Sequence, residues 1–354
     1  MTFTASERRN LARLHFNSGD FELLRAQLRD GTFPDNTAKG PLSPPPPGAI
    51  TELSGGQREE ACATAGHELL ESGQAALVLL NGGMATRFGG RVKGVVEALP
   101  GRSFLALQLK RMAKMGSCPL LIMNSAATDA HTAQHLASND FFGMNPSDVF
   151  TFKQSAAPRL RPDGSLYRDA ADQLSLYGPG HGDLLPSLRR SGALDWLKAR
   201  GVRYLLAANV DNLAAGLSPS LLGLFAASPT QMMVEVCRKE PGDVGGCPVA
   251  VAGRTQIVEG FAFPANFDQS SLPAFNTNTL WFRCDALQEE LPLHWYLVRK
   301  KVDGEDVVQF ERLIGQASWF LTSTYALVPR TRFCPIKSQA DLEAAQSTLS
   351  ALFS

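Results

Sequence analysis

The residues best able to do chemistry fall in five segments. The first is Asn81-Gly-Gly-Met-Ala-Thr-Arg-Phe-Gly-Gly90 with Lys93 close behind. Glycines between a buried strand and a helix let backbone N–H groups approach an anion, and a nearby lysine adds charge, which is the logic of a phosphate cradle. It matches neither Gly-x-Gly-x-x-Gly nor a Walker loop, and a plain glycine-rich turn beside a solvated lysine is an equal reading. The second, Gly178-Pro-Gly-His-Gly-Asp183, sets His181 among glycines, a loop no packed helix would choose. The third, Ala207-Ala-Asn-Val-Asp-Asn-Leu213, carries Asn209 and Asp211 out of the C-terminal end of a strand. Ligands of parallel α/β sheets bind at that edge, and a carboxylate there suits Mg²⁺; an Asx turn is the alternative. The fourth, Phe275-Asn-Thr-Asn-Thr-Leu-Trp281, puts Asn276 and Asn278 on one face of a strand, where paired amides suit sugar hydroxyls or an edge ladder. The fifth, Val328-Pro-Arg-Thr-Arg-Phe-Cys-Pro-Ile-Lys337, concentrates Arg330, Arg332 and Lys337: either a solvated basic loop or rigidly presented cations for phosphate.

The elements that must hold these segments alternate in type. Strands are predicted at Ala75–Leu80, Pro119–Asn124, Val149–Lys153 and Arg203–Asn209. Helices are predicted at Phe104–Met115, Asp129–Ser138 and, as one or two pieces, Leu184–Arg200. Such alternation implies crossover units and a mostly parallel, covered sheet. From about 231 the pattern turns β-rich, with strands at Met232–Cys237, Pro248–Val251, Thr255–Gly260 and Asn276–Phe282. Residues 1–74 read as a helical preface, with helical spacing over Glu7–Phe16, Phe21–Leu28 and Gly56–Ser72 and a proline-rich extended connector over 41–48. The expected division is 1–74, an α/β body with a β-rich part over 75–336, and a closing helix within 337–354.

Composition narrows the classes. In 354 residues, 34 Lys+Arg balance 34 Asp+Glu, so no global field recommends a nucleic-acid or polybasic membrane partner. The longest clean apolar run, Ala75–Leu80, is far below the roughly 20 residues of a membrane helix. No secretory signal is visible, and six cysteines without a Cys-x-x-Cys pair point to reduced thiols and a cytoplasmic protein. His131 and His135 lack the intervening Glu of a zinc-protease helix.

Taken together and in order, the segments resemble the UTP–glucose-1-phosphate uridylyltransferase (UDP-glucose pyrophosphorylase) family and, more weakly, the UDP-N-acetylhexosamine pyrophosphorylases. The matching stretches are LNGG (80–83), PLLIMNSAATD (119–129), TFKQS (151–155), GHGD (180–183), NVDNL (209–213), FNTNTLW (275–281) and VPRTRFCPIKSQADL (328–342). The resemblance implies an α/β, Rossmann-like nucleotide-diphospho-sugar transferase fold. It implies the reaction of UTP with glucose 1-phosphate to UDP-glucose and pyrophosphate, by in-line attack on the α-phosphorus, with Mg²⁺. It further implies Gly82 and Gly83 against the nucleotide, Lys93 on the triphosphate, and Gln154 and Gly180 at the uracil edge. His181 and Asn209 would contact the sugar phosphate, and Asp211 would bind Mg²⁺ with an α-phosphate oxygen. Gly246, Glu259, Asn276 and Asn278 would surround the hexose, and Lys337 would sit on the transferring phosphates.

The chain departs from the family pattern at several points. Ala85 stands where the family has Gly, Val92 where it has Pro, the Gly89–Lys93 spacing is one residue short, and Val244 opens the segment matching Lys-Gly-Gly. The left-handed β-helix of the family's glucose enzymes is expected to be missing. Two alternatives stay open: a pyrophosphorylase for UDP-N-acetylglucosamine or UDP-galactose, and a UDP-sugar-binding protein without catalysis.

Overall fold

The computed structural model of the chain describes residues 3–85 and 88–354; Thr86 and Arg87, inside the glycine segment, lie outside the described residues. Eight strands make the principal sheet: β1 (Ile50–Glu52), β2 (Ala75–Asn81), β3 (Leu120–Asn124), β4 (Val149–Lys153), β5 (Tyr204–Asn209), β6 (Met232–Arg238), β7 (Ala274–Arg283) and β8 (Ser323–Leu327). Their spatial order is β1-β8-β6-β7-β5-β2-β3-β4. Every neighbouring pair is parallel except those of β7, which runs antiparallel to β5 and β6. The fold is therefore the mixed, mostly parallel α/β sheet expected.

The central strands are covered on both faces. Along β2 the side chains alternate: Ala75, Leu77 and Leu79 enter one apolar core, and Ala76, Val78 and Leu80 the other. The helices Phe104–Lys114 and Asp129–Ala137 follow β2 and β3 as crossovers. The stretch 184–200 resolves into two helices, Leu184–Arg190 and Ala193–Ala199, because Gly192 takes a left-handed conformation at φ +77°.

Besides strand β8 (Ser323–Leu327), three features were not anticipated. A helix at Pro219–Ala227 starts with a Ser218 cap and Pro219 in its first turn. It packs on the helix Gln57–Glu71 with Gly66 against the Pro219 backbone and Gly223 against that of Cys62, closer than any Cβ would allow. The hairpin Tyr296–Val302/Glu305–Glu311 also escaped the sequence reading. Third, part of the stretch read as a preface is built into the body, since β1 is one of the sheet's two edge strands.

Helices Ala5–Arg13 and Ser18–Arg29 pack elsewhere: Phe21 and Leu24 meet Leu160, Val308 and Phe310 in a third apolar cluster. Within the proline-rich connector, Leu42–Ser43 pairs with Ala250–Val251, edge-on to the hairpin Cys247–Val251/Arg254–Val258. The described chain closes on helix Gln339–Leu352, opened by a Ser338/Asp341 capping box, and no β-helix occurs among the described residues. Among them, no helix is long and apolar enough to cross a membrane.

Candidate active site

A cleft of about 720 Å³ opens where β2 to β5 end. Its floor is contributed by the residues that leave those ends: Gly82 and Gly83 after β2, Ser125 after β3, Gln154 after β4, and Asn209 to Asp211 at the end of β5. Beneath it, Asn81 Nδ2 donates to Asn124 Oδ1 (2.8 Å) and Thr132 Oγ1 (2.9 Å), and Asn124 Nδ2 donates to Asp129 Oδ1 (3.1 Å). These amides lock the strand ends to the helix Asp129–Ala137, so the residues one position further on start from a fixed frame.

Two glycines create the space for Gln154. A Cβ on Gly82 would come within 2.7 Å of Gln154 Nε2, and one on Gly178 would collide with the same atom. The Gln154 amide therefore lies between two bare backbones at the cleft wall. Its backbone N–H donates to Asn124 O (2.8 Å).

The Gly178–Asp183 loop is pinned by its last residue. The Asp183 carboxylate, 1% exposed, accepts from Ser155 N (2.7 Å), Ser155 Oγ (2.9 Å), Ser187 Oγ (3.0 Å) and Arg312 Nη2 (3.0 Å). Gly180, at φ +83°, and Gly182 lie flat on the Arg312 backbone, where any Cβ would clash. His181, between them, accepts at Nδ1 from the Ile314 N–H (3.0 Å). That fixes the proton of the neutral ring on Nε2. Burial lowers its pKa to about 4, so near neutral pH the cleft receives an uncharged N–H donor.

Lys93 enters the cleft despite its altered spacing. Ala85 and Val92 belong to a short antiparallel pair, Met84–Ala85 with Arg91–Val92, so the backbone at 85 is extended and alanine there needs no positive φ. The pair delivers Lys93 Nζ to Asp211 Oδ2 at 2.6 Å, with both side chains about 15% exposed or less. Asp211 Oδ1 is buried without a hydrogen-bond partner.

The loop after Asp211 is clamped from two sides. Arg111, on the helix Phe104–Lys114, donates to the carbonyls of Leu213 and Ala215. Burial and the neighbouring Arg332 lower its pKa to about 10. Arg332 donates to Gly216 O, Asn212 Oδ1 accepts from Cys334 N, and Ile336 N–H donates to Asp211 O (3.1 Å).

Segment 328–337 departs from the expectation of three cations presented together. Arg332 is spent on a bidentate pair with buried Glu235 (3.0 and 2.8 Å), which also accepts from Trp281 Nε1. Arg330 is spent on Asp243 (2.8 and 3.2 Å). Both arginines fasten the segment, Arg332 to strand β6 and Arg330 to the loop that follows it, instead of offering charge to a ligand. Lys337 is exposed and does not line the cleft; it follows directly on Ile336, the residue bonded to Asp211.

Gly82, Gly83, Lys93, Gln154, Gly180, His181, Asn209 and Asp211 thus share one cleft. Gly246, Glu259, Asn276 and Asn278 form an adjoining group. Asn278 Nδ2 donates to Asn209 Oδ1 (3.1 Å), joining the two. A bulge in β7 opposite Glu235/Val236 places Asn278 at φ +56°, a conformation asparagine tolerates. Its N–H donates to Asn276 Oδ1 (2.9 Å), and Asn276 N–H donates to Gly246 O (2.7 Å). A Cβ on Gly246 would sit 3.1 Å from Glu259 Oε2. Burial raises the Glu259 carboxyl to about 7.

Sequence reasoning missed the outer wall. Arg159, Lys300, Gln309 and Glu311 line it, with Lys300 Nζ on Glu311 Oε1 (2.7 Å) and Arg159 Nε donating to Gln309 Oε1 (2.8 Å). The alternation of the hairpin 296–311 was the available signal.

A family model described as UTP–glucose-1-phosphate uridylyltransferase matches residues 42–353. The chain belongs to this family. It is 34% identical over 291 residues to UTP–glucose-1-phosphate uridylyltransferase of Hordeum vulgare, and 35% identical over 291 residues to that of Solanum tuberosum. Both alignments take in 76% of this chain, which spans 61% and 60% of the lengths of those family members. Among solved structures, a UDP-glucose phosphorylase of Trypanosoma brucei superposes with a TM-score of 0.77 at 27% identity, covering 92% of this chain and 74% of that one. A UDP-glucose pyrophosphorylase variant of Leishmania major in complex with UDP-glucose gives 0.75 at 23% identity, covering 98% and 80%, a likeness of fold.

Proposed function

We propose that the chain is a uridylyltransferase joining UTP and glucose 1-phosphate to UDP-glucose and pyrophosphate. The observation that carries this reading is the convergence, at the strand ends of a family member, of Lys93, Asp211 and the neutral His181 donor in one cleft. A sugar-phosphate oxygen attacks the α-phosphorus of UTP, a new P–O bond forms, and the bond to the β-phosphate oxygen breaks to release pyrophosphate. The phosphate nucleophile is already anionic, so the step needs no general base; it needs two anions held in line and their repulsion offset.

The residues divide that work. Gln154, held between Gly82 and Gly178, and the Gly180 backbone read the uracil edge. His181 and Asn209 hold the sugar phosphate. The Asn276, Asn278, Glu259 and Gly246 group receives the hexose hydroxyls, with the Glu259 carboxyl supplying acceptors. Lys93 carries the phosphate charge from within the cleft; Lys337, outside its lining, would reach the phosphates only from the Asp211 edge to which its neighbour Ile336 is bonded. Asp211 fits Mg²⁺: its carboxylate accepts no neutral hydrogen bond, Oδ1 being without a partner and Oδ2 bearing only the Lys93 ammonium, and no cluster of three or more His, Cys, Asp or Glu side chains forms a metal cage among the described residues. A single carboxylate is what Mg²⁺ takes when phosphates and water complete its shell. When bound, the ion would neutralise charge on the transferring phosphate.

Pyrophosphate release should be measured for UTP with glucose, galactose and N-acetylglucosamine 1-phosphates, with and without Mg²⁺. Release with glucose 1-phosphate foremost is the expected result. Binding of UDP-glucose without release from any of the three sinks the reading.

A further inference from the structure

We infer that Lys93 is a latch on Asp211, closing the carboxylate to a divalent cation until a triphosphate draws the lysine away. This rests on the proposed role of Asp211. The argument comes from the two oxygens of one side chain. Oδ1 is buried and has no partner, so in the resting cleft a hydrated cation could meet only Oδ2. Oδ2 carries the Lys93 ammonium at 2.6 Å. An ammonium and a divalent cation cannot both occupy that oxygen at contact distance, because their repulsion in a partly desolvated pocket is severe.

The resting carboxylate is thus already neutralised, and metal alone gains nothing by displacing its counter-ion. The backbone keeps the latch in register from both sides. Lys93 N lies 3.4 Å from Gly83 O, and Ile336 N–H holds Asp211 O at 3.1 Å. The Asp211–Gly216 loop is tied down by Arg111 and Arg332, so the backbone that carries the carboxylate is held in place. The movable partner is the lysine, on its flexible four-carbon stem.

A nucleoside triphosphate opens the latch by two effects at once. Its phosphate oxygens compete for the ammonium, and the cation it chelates arrives where Oδ2 has just been released. Cation binding by Asp211 is then conditional on nucleotide. An empty enzyme holds no ion, and Lys93 changes partner from carboxylate to phosphate as the complex forms. Lys93 in this role is a positioning residue before it is a phosphate ligand.

The test titrates Mn²⁺ into the 354-residue chain without nucleotide, followed by electron paramagnetic resonance of the free ion and by the thermal midpoint. Wild type should leave Mn²⁺ free and its midpoint unmoved. Lys93→Met should bind the ion at least about tenfold more tightly and rise in midpoint with it. Lys93→Arg, which keeps the charge, should behave like wild type, and the double variant Lys93→Met/Asp211→Asn should lose the gain. Circular dichroism establishes that each variant is folded, and Lys93→Gln replaces Lys93→Met if the latter is not. Equal Mn²⁺ affinity of wild type and the uncharged variant, or a gain that survives in the double variant, overturns the inference. The titration needs no turnover, so absence of pyrophosphate release by wild type would sink the proposed reaction and leave this result readable.

Discussion

Replacing Glu259 by glutamine should change how stability depends on pH, in a direction fixed by the site. Burial raises this carboxyl from an ordinary 4.5 to about 7, because the ionised form is poorly solvated in its pocket. The folded protein therefore holds a proton that the unfolded chain has released between those two values. Stability is intact below about pH 4.5, falls as the pH climbs toward 7, and levels off above it. At 1.36 kcal/mol per unit, the rise corresponds to roughly 3 kcal/mol of lost stability at pH 8. The neutral amide of the variant never ionises. Urea denaturation across pH 4.5 to 8.5 should show Glu259→Gln matching wild type at the acid end and exceeding it by about 3 kcal/mol at the alkaline end, with equal m-values. Identical pH slopes for the two proteins would mean that the carboxylate is solvated after all, and the argument from burial would fail. Galactose or glucose 1-phosphate turnover of the variant reads separately whether the charge also serves the sugar.

Three further outcomes follow from the geometry. Gly178→Ala puts a methyl against the flexible end of Gln154; the thermal midpoint should barely move, while discrimination of UTP from CTP in kcat/KM should fall by about tenfold, the worth of one displaced hydrogen bond. Asp183→Asn leaves Arg312 without its buried partner and should cost about 3–5 kcal/mol in chemical denaturation; an unchanged midpoint would show that the carboxylate does not hold the loop. Lys337→Met should keep the circular dichroism of wild type and depress pyrophosphate release by about 10²–10³; near-normal turnover removes Lys337 from the reaction.

Much of the cleft's floor could be read from local pattern. The runs that became β2, β3, β4 and β5 end within a residue of where they were expected: β2, β3 and β5 are buried on both faces, so their apolar runs are continuous and polar residues mark the exits, whereas the edge strand β4 showed itself by alternation. Gly82, Gln154, Asn209 and Asp211 follow those exits, so their common edge was legible once the strands were taken as parallel. The wall was not. Hairpin 296–311 has half-exposed strands of mixed polarity, and its period-2 signal is weak beside the charges that interrupt it.

Sequence by itself determined the parallel sheet, the glycine positions and the residue types at the strand ends, since strand burial, turn chemistry and caps are set by neighbours within a few positions. Tertiary structure alone decided what each charge is for. Three basic residues in segment 328–337 looked alike; folding gave Arg330 to Asp243 and Arg332 to Glu235 and left Lys337 outside both pairs. Likewise Lys93 and Asp211, 118 residues apart, form a pair only because two strand exits meet at one edge. A long-range Coulomb partner depends on topology, and nothing in the local pattern around either residue records it.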